Sequence, residues 1–525
     1  MPEAHDFLDE LEWRGLLKDV TDREGLSKHL STGSRRLYAG FDPTADSLTI
    51  GNLVPITVLA HARRAGHEVI ALIGGGTGLI GDPSGKSAER MLLTEETVAH
   101  HVECQRPIFE AVLGNMEGPS FEVVNNADWL TKLGYIEVLR DVGKHFSVNM
   151  MIQKDSVKSR LEDREQGISY TEFSYMILQA YDFLHLHREE LVTIQCGGSD
   201  QFGNIVAGVE LINRWSDQIR IETAEYLDDE IQSLKSTSVQ TLREEAYSTL
   251  VECMKRWGEG TAESTKLFER WLATTDRLAV EVNRATAGVW GLNHKRAIQR
   301  LRECRSRQVF GFVCPLVTKA DGGKFGKTES GAVWLTAART SPYAYYQFWL
   351  NASDEDVGPP TPEGKGGWLR KFTFLSRGEI ESIEREHAAA PGKRLAQRTL
   401  AREATRLLHG EGEMTQAEAA GQALFSGDIA GLPEATLRDV FGEVPSSEHA
   451  KASLAGEGAD LVEILVETGL AKSKREAREF VANGSVSVNG QGAGEGRRLT
   501  SSDLLHGSMI ALRRGKKVWH VTRWA

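Results

Sequence analysis

The chain has 525 residues, 40% of them hydrophobic and 26% charged, and a formal net charge of −12. Length and composition are those of an ordinary globular protein of about two to four domains, and no apolar run reaches the ~18 residues that a membrane span needs. The five cysteines (104, 196, 253, 304 and 314) form no CxxC pair, which argues against a zinc site or a disulfide framework and for a reducing cytoplasm.

The acidic start, MPEAHDFLDELEWRG, lacks the basic and apolar regions of a signal peptide. Residues 1–31 read as helical, with Phe7, Leu8, Leu11, Leu16 and Leu17 on one apolar face. Residues 36–41 and 68–73 read as strands. Each runs into Gly-rich sequence and then a helix, the opening of a doubly wound α/β layout. In LYAGFDPTADSLTIGNL, Gly40 lets a ligand approach the backbone, Asp42-Pro43-Thr44 makes a turn, and Thr49-Ile50-Gly51-Asn52 opens a helix. A helix start carrying hydroxyl and amide side chains suits phosphate oxygens; a plain Asx turn with an N-cap is the other reading.

The next run, GGGTGLIGDPSGKS, fits GxGxxG from Gly76 to Gly81 after a strand. A dinucleotide site also wants an acid about twenty residues on, closing the next strand; here that region is the helical-looking ETVAHHVECQR. A Walker A loop needs Gly five residues before the Gly85 of Gly85-Lys86-Ser87, with four residues between, but that position is Ile80 and Gly81 is one residue late. Both readings are disfavoured, while Lys86 stays available to a phosphate. Farther on, FSYMILQAYDF spaces Tyr175, Gln179 and Asp182 at i, i+4 and i+7, one helical face. Such polar groups either satisfy one another or line a pocket. Residues 191–195 form another expected strand, ending at CGGSDQFGN, where Gly197 and Gly198 open the backbone and Asp200 suits a ribose diol or caps a loop. Ligands of open α/β sheets bind at the carboxyl ends of the strands, where these loops converge.

From 216 to 307 the pattern is helical, with fifteen acidic and fifteen basic residues, and reads as an insertion. Its last part, 284–307, carries seven basic residues against Glu303. A solvated surface decoration and an added RNA contact are the two readings. Residues 309–318 return to strand-like sequence and deliver Lys324-Phe325-Gly326-Lys327-Thr328. Two lysines three apart, with Gly between them and a hydroxyl after, suit a polyphosphate whose charge rises in a transition state. Residues 340–445 are again helical, with a loop at GPPTPEGKGG and a turn at SGDIAGLPEAT, and 446–459 read as a linker. Residues 471–525 hold eleven Lys/Arg against four Asp/Glu, the asymmetry expected of a small RNA-binding module on an acidic enzyme.

Taken in order, these runs resemble the bacterial tyrosyl-tRNA synthetases, over about 1–215, 308–350, the helical region and the C-terminus. The resemblance implies a Rossmann-type, doubly wound parallel-sheet class I catalytic domain at 1–345, interrupted by the insertion at 216–307. An α-helical anticodon-arm domain (346–445), the linker (446–459) and a small α+β RNA-binding domain (460–525) follow. The implied activity is ATP-dependent activation of tyrosine, with Mg²⁺ bound alongside ATP and no dedicated protein metal site, then transfer of tyrosine to the 3′ end of its tRNA by a cytoplasmic homodimer.

Carried over by residue, the resemblance assigns the substrate phenol to Tyr38 and Asp182. It assigns the ammonium to Tyr175, Gln179 and Asp82, and the region near the carboxylate to Gln201. Gly40, Asp42, Thr44, Thr49, Gly51 and Asn52 would serve ATP, with Gly198 and Asp200 at its ribose. Lys86, Arg90, Lys324, Lys327 and Thr328 would stabilise the transition state and pyrophosphate. Lys472, Lys474, Arg475 and Arg478, with Arg513, Arg514, Lys516 and Lys517, would bind RNA. One departure stands out: the family's His-Ile-Gly-His is here Thr49-Ile50-Gly51-Asn52, without either imidazole. That motivates a rival, a non-charging RNA-binding paralogue, against which the intact lysine loop and tyrosine pocket argue.

Overall fold

The computed structural model describes residues 6–82, 92–153, 157–158, 168–233, 240–256, 262–286, 308–322, 325–328, 331–361, 364–427, 429–442, 444–515 and 518–525. The chain divides into two compact units, Met1–Val317 and Thr318–Ala525. The division falls before the lysine loop, not at 345.

The first unit is built on a six-stranded sheet of β1 (Asp19–Val20), β2 (Arg36–Phe41), β3 (Glu68–Ile73), β4 (Phe121–Asn125), β5 (Ile194–Gly198) and β6 (Phe310–Cys314). Its spatial order is β1-β6-β5-β2-β3-β4. Strands β2 to β6 run parallel, and β1 joins the edge antiparallel to β6. RLYAGF and EVIALI are apolar almost throughout because helices cover both faces of the sheet. One face carries the helices Tyr170–Glu190 and Phe202–Ser233, whose Met176, Phe183, Leu184 and Leu211 pack with Tyr38, Ile70 and Leu72. Strand order reverses between β2 and β5, which opens a crevice at their carboxyl ends.

The expected N-terminal helical stretch is two helices, Phe7–Arg14 and Arg23–Ser31, with β1 between them. The expected insertion does not begin at a break. Helix Phe202–Ser233 runs through residue 216, and Gln240–Lys255 and Ala262–Thr286 then pack as a hairpin. Ala246, Leu250, Cys253, Phe268 and Trp271 are buried within it, and Arg277 pairs with Glu245 at 3.2 Å. The basic run 287–307 lies outside the described residues.

In the second unit a small hairpin pairs β7 (Lys327–Thr328) with β8 (Gly331–Ala332). Helices follow, chiefly Pro342–Leu350, Trp368–Phe372, Arg377–Ala389 and Leu395–Ser426, the last kinked at Gly410. The C-terminal domain has β9 (Ser446–His449), β10 (Ala459–Asp460), β11 (Val486–Val488), β12 (Gln491–Gly492), β13 (Arg498–Leu499), β14 (Met509–Arg514) and β15 (Val518–Trp524). Its main sheet has the order β12-β11-β14-β15-β9. The stretch read as a linker is therefore structural: β9 pairs parallel with β15, and Leu454 is buried in the domain's core.

Candidate active site

Four strand ends of the first unit deliver polar residues that bond to one another. Asp42, just beyond β2, accepts from the Tyr175 hydroxyl at 3.0 Å and from the Thr77 hydroxyl at 3.1 Å. Asp82, beyond β3, accepts from Gln201 Nε2 at 2.6 Å, and Gln201 follows β5. Asn126, after β4, donates to Asp182 Oδ2 at 2.9 Å, while the Trp129 indole donates to Oδ1 at 2.7 Å. Helix Tyr170–Glu190, capped by Ser169, carries Tyr175 and Asp182 into this cluster. Two of the three residues on the i, i+4, i+7 face, Tyr175 and Asp182, thus bond into this cluster.

Electrostatics sharpen the picture. Asp182 is fully buried, and desolvation lifts its carboxyl to about 7; the bonds from Asn126 and Trp129 oppose that rise, and Asp42 adds to it. Burial, reinforced by Asp42, Asp82 and Asp182, raises the Tyr175 phenol well above its usual range. Burial does the same to Tyr38, with Asp182 second. Among the buried polar atoms without a hydrogen-bond partner among the described residues, three lie at this end of the sheet and on the helix over it: Tyr38 Oη, Gln179 Oε1 and Gln195 Oε1. Gln195 lies in register beside Tyr38. Buried polar atoms are usually paired in a finished core, and a polar ligand at this end of the sheet is one way to satisfy these three.

The glycine run proves to be a packing device. A Cβ at Gly74 would lie 2.3 Å from Thr77 Oγ1 and 2.6 Å from Asp42 Oδ1, and one at Gly75 would lie 2.2 Å from Asn125 Oδ1. These glycines let the loop after β3 press against the carboxylate and amide groups of the site. Gly40 is different: it is exposed and its nearest neighbour would be 3.8 Å away, open enough for a ligand to lie against the backbone.

Thr44 is exposed, and Gly51, Gly198 and Asp200 line the same end of the sheet. Thr49 and Asn52 pair with each other: the Thr49 hydroxyl donates to Asn52 Oδ1 at 2.9 Å and its N–H donates there at 3.1 Å. The hydroxyl expected to serve a phosphate is thus already engaged, and the Asn52 carboxamide nitrogen is the donor left over from this pairing. Thr49→His is expected to lower KM for ATP or raise the activation rate in pyrophosphate exchange. Unchanged kinetics would mean that position 49 is fully compensated or faces away from ATP.

Lys86, Arg90 and Lys324 lie outside the described residues, as do Lys516 and Lys517. Lys327 and Thr328 form β7 in the second unit. Of the expected RNA-binding residues, Lys472, Lys474, Arg475 and Arg478 are exposed, with Lys474 paired to Glu463 at 2.6 Å. Arg513 and Arg514 are turned inward. Arg513 lies over Trp519 and donates to the Leu424 carbonyl, and Arg514 lies over Phe480 and donates to the Leu470 carbonyl.

Asn126, Trp129 and Gln195 escaped the sequence reading. Trp129 is itself oriented by stacking on His185 with centroids 4.4 Å apart. The available signal was NNADWL directly after the apolar strand FEVV, at the one strand end left without a candidate.

Comparison with known proteins identifies the family. The family described as tRNA synthetases class I (W and Y) matches residues 30–234 and 293–426, leaving 235–292 between the two stretches. A tyrosine–tRNA ligase SYY-like C-terminal domain matches residues 436–522. The tyrosine–tRNA ligase of Roseiflexus castenholzii is 43% identical over 98% of this chain and 99% of its own. That of Bacillus caldotenax is 43% identical over 99% and 100%. Among solved structures, a C-terminally truncated mitochondrial tyrosyl-tRNA synthetase of Aspergillus nidulans superposes with a TM-score of 0.57 at 26% identity, covering 80% of this chain and 94% of that one. With both profiles matched in order and full-length relatives above 40% identity, the chain belongs to the tyrosine–tRNA ligases of the class I tRNA synthetases.

Proposed function

We infer that the protein activates L-tyrosine with ATP to tyrosyl-adenylate and pyrophosphate, then transfers the tyrosyl group to the 3′ end of tRNA(Tyr). The observation that carries this reading is Asp182, a buried carboxylate held by Asn126 and Trp129 close to a Tyr38 hydroxyl that has no hydrogen-bond partner among the described residues. A phenol entering there donates to Asp182 and pairs with Tyr38. A ring lacking the hydroxyl leaves both unpaired, and so is rejected. At the other end, Asp82, Tyr175 and Gln179 receive the ammonium, an assignment supported by three carboxylates acting on Tyr175.

The nucleophile is the substrate's own ionised carboxylate, so no general base is needed. Its oxygen bonds to the α-phosphorus of ATP as the bond to pyrophosphate breaks. Catalysis is positioning plus electrostatics. Gln201 steers the carboxylate, Gly198 and Asp200 take the ribose, and Gly40, Asp42, Thr44, Thr49, Gly51 and Asn52 hold the nucleotide. Lys86, Arg90, Lys324, Lys327 and Thr328 offset the charge growing on the phosphates. Mg²⁺ enters as part of the substrate, MgATP.

A homodimer in the cytoplasm completes the reading. Supporting the dimer is an exposed apolar surface in one stretch of the first unit: Ile136 (73% exposed), Leu139, Val148 (57%), Met150 and Ile152. Among the described residues no helix is long and apolar enough to cross a membrane. If the insertion contacts the tRNA acceptor arm, deleting 218–304 with a short linker weakens charging and spares adenylate formation; equal effects on both would count against that contact.

The direct test is tyrosine-dependent ATP–pyrophosphate exchange, with phenylalanine as control. Exchange with tyrosine alone is expected. No exchange from folded protein that still binds tRNA would replace this reading with the non-charging paralogue.

A further inference from the structure

We propose that Phe325 is a positioning residue for the activation step: its ring plugs the lysine loop into an aromatic socket of the helical region, and so sets where Lys327 stands. The proposal rests on the reading that the lysine loop serves ATP.

The Phe325 ring lies 5.4 Å from that of Phe372, nearly parallel at 11°, and meets Trp368 edge-on at 4.9 Å. Phe348 and Trp349 close the socket at 5.8 and 6.0 Å. The walls come from two helices, Pro342–Leu350 and Trp368–Phe372, and the walls also touch one another, Trp349 against Phe372 and Phe348 against Trp368. Behind them Lys371 is fully buried and donates to the carbonyls of Gly364 and Gly366, each at 2.7 Å. Four aromatic neighbours at these separations hold a ring in both position and tilt, and a socket on braced helices makes that hold precise.

The connection from the ring to the backbone of Lys327 is short. Gly326 turns the chain at φ +74°, a conformation that suits glycine. Its carbonyl accepts from Val333 N–H at 2.9 Å, and Lys327 pairs with Ala332 in the next step of the hairpin. Farther back, the Ala320 N–H donates to Asp356 Oδ1 at 2.7 Å, a second tether to the same helical region. A phenylalanine set between two lysines spends its apolar surface on holding a segment that bears charge. The bland alternative, that Phe325 only stabilises the second unit, predicts a loss of stability with no selective effect on ATP.

The test is kinetic. Phe325→Ala is expected to lower the rate of adenylate formation by about tenfold or more and to raise KM for ATP, with KM for tyrosine changed less than about twofold. Trypsin should cleave after Lys324 or Lys327 faster in this variant than in the parent. Phe325→Tyr, which keeps the ring, should restore most of the rate. Lys327→Ala separates this proposal from the reading beneath it. If Lys327→Ala is impaired and Phe325→Ala is not, the anchoring proposal falls. If neither is impaired, the assignment of the loop to ATP falls, and the proposal with it. Should Phe325→Ala fail to fold, Phe372→Leu carries the test: a selective ATP defect supports the socket, and normal ATP kinetics overturn it.

Discussion

Asp182→Asn is expected to lower kcat/KM for tyrosine in pyrophosphate exchange by about 10²–10³-fold. Both carboxylate oxygens already accept N–H bonds, from Asn126 and from the Trp129 indole. A carboxamide must turn its NH₂ toward one of those donors, leaving a buried donor unpaired, and it loses the charge that strengthens a bond from the phenol. Phenylalanine, with nothing to donate, should lose far less, so discrimination between the two amino acids narrows. Equal losses for both would mean that Asp182 supports the fold and does not read the phenol.

The second large effect is in pH. Desolvation raises the Asp182 carboxyl to about 7 from its ordinary 3.8. A phenol donor needs the ionised form, so kcat/KM for tyrosine, which reports the ligand-free enzyme, should fall about tenfold per unit below pH 7. Stability runs the other way. The raised value means that the folded protein resists ionising Asp182, so the penalty is absent below about pH 4, grows toward pH 7 and is constant above it. Relative to Asp182→Asn, the parent should lose about 2–3 kcal/mol of unfolding free energy between pH 5 and pH 8. Urea unfolding of both proteins at the two pH values measures that difference. A flat difference would place the Asp182 titration elsewhere.

The parts of the site that were legible in the sequence are those with local causes. Strands β2 and β3 follow from short apolar runs closed by glycine, and the face bearing Tyr175, Gln179 and Asp182 follows from helical spacing alone. Asp182's partners were not legible, because Asn126 and Trp129 reach it across 56 and 53 residues of chain, a distance that only the sheet order resolves. The Gly-rich run after β3 was ambiguous in the sequence for a related reason. Its composition is the same whether a glycine makes room for a phosphate or for a neighbouring side chain, and here the neighbours are Asp42 and Asn125. The resemblance assigns Arg513 and Arg514 to RNA, yet in the structure aromatic faces and carbonyl oxygens engage them. The 446–459 stretch looked like a linker because SSEHAKASLAGEGA is polar, and a parallel edge strand needs little apolar content when one flank faces water.

That edge strand governs how the C-terminal domain could be isolated. A fragment beginning at residue 460 would leave β15 without β9, exposing a row of backbone donors and acceptors to other molecules. A fragment beginning at 446 would repair the edge but uncover Leu505, Met509, Ala511 and Val521, which pack in the parent against Ile429, Leu437 and Phe441. Either cut trades a native contact for a sticky one. The shortest piece that keeps both seams closed must reach back to the end of helix Leu395–Ser426, where Gly427 and Gly490 meet so closely that a methyl on the latter would overlap the former's carbonyl oxygen at 1.4 Å. In any engineered fragment, the tail therefore travels with the turn that precedes it.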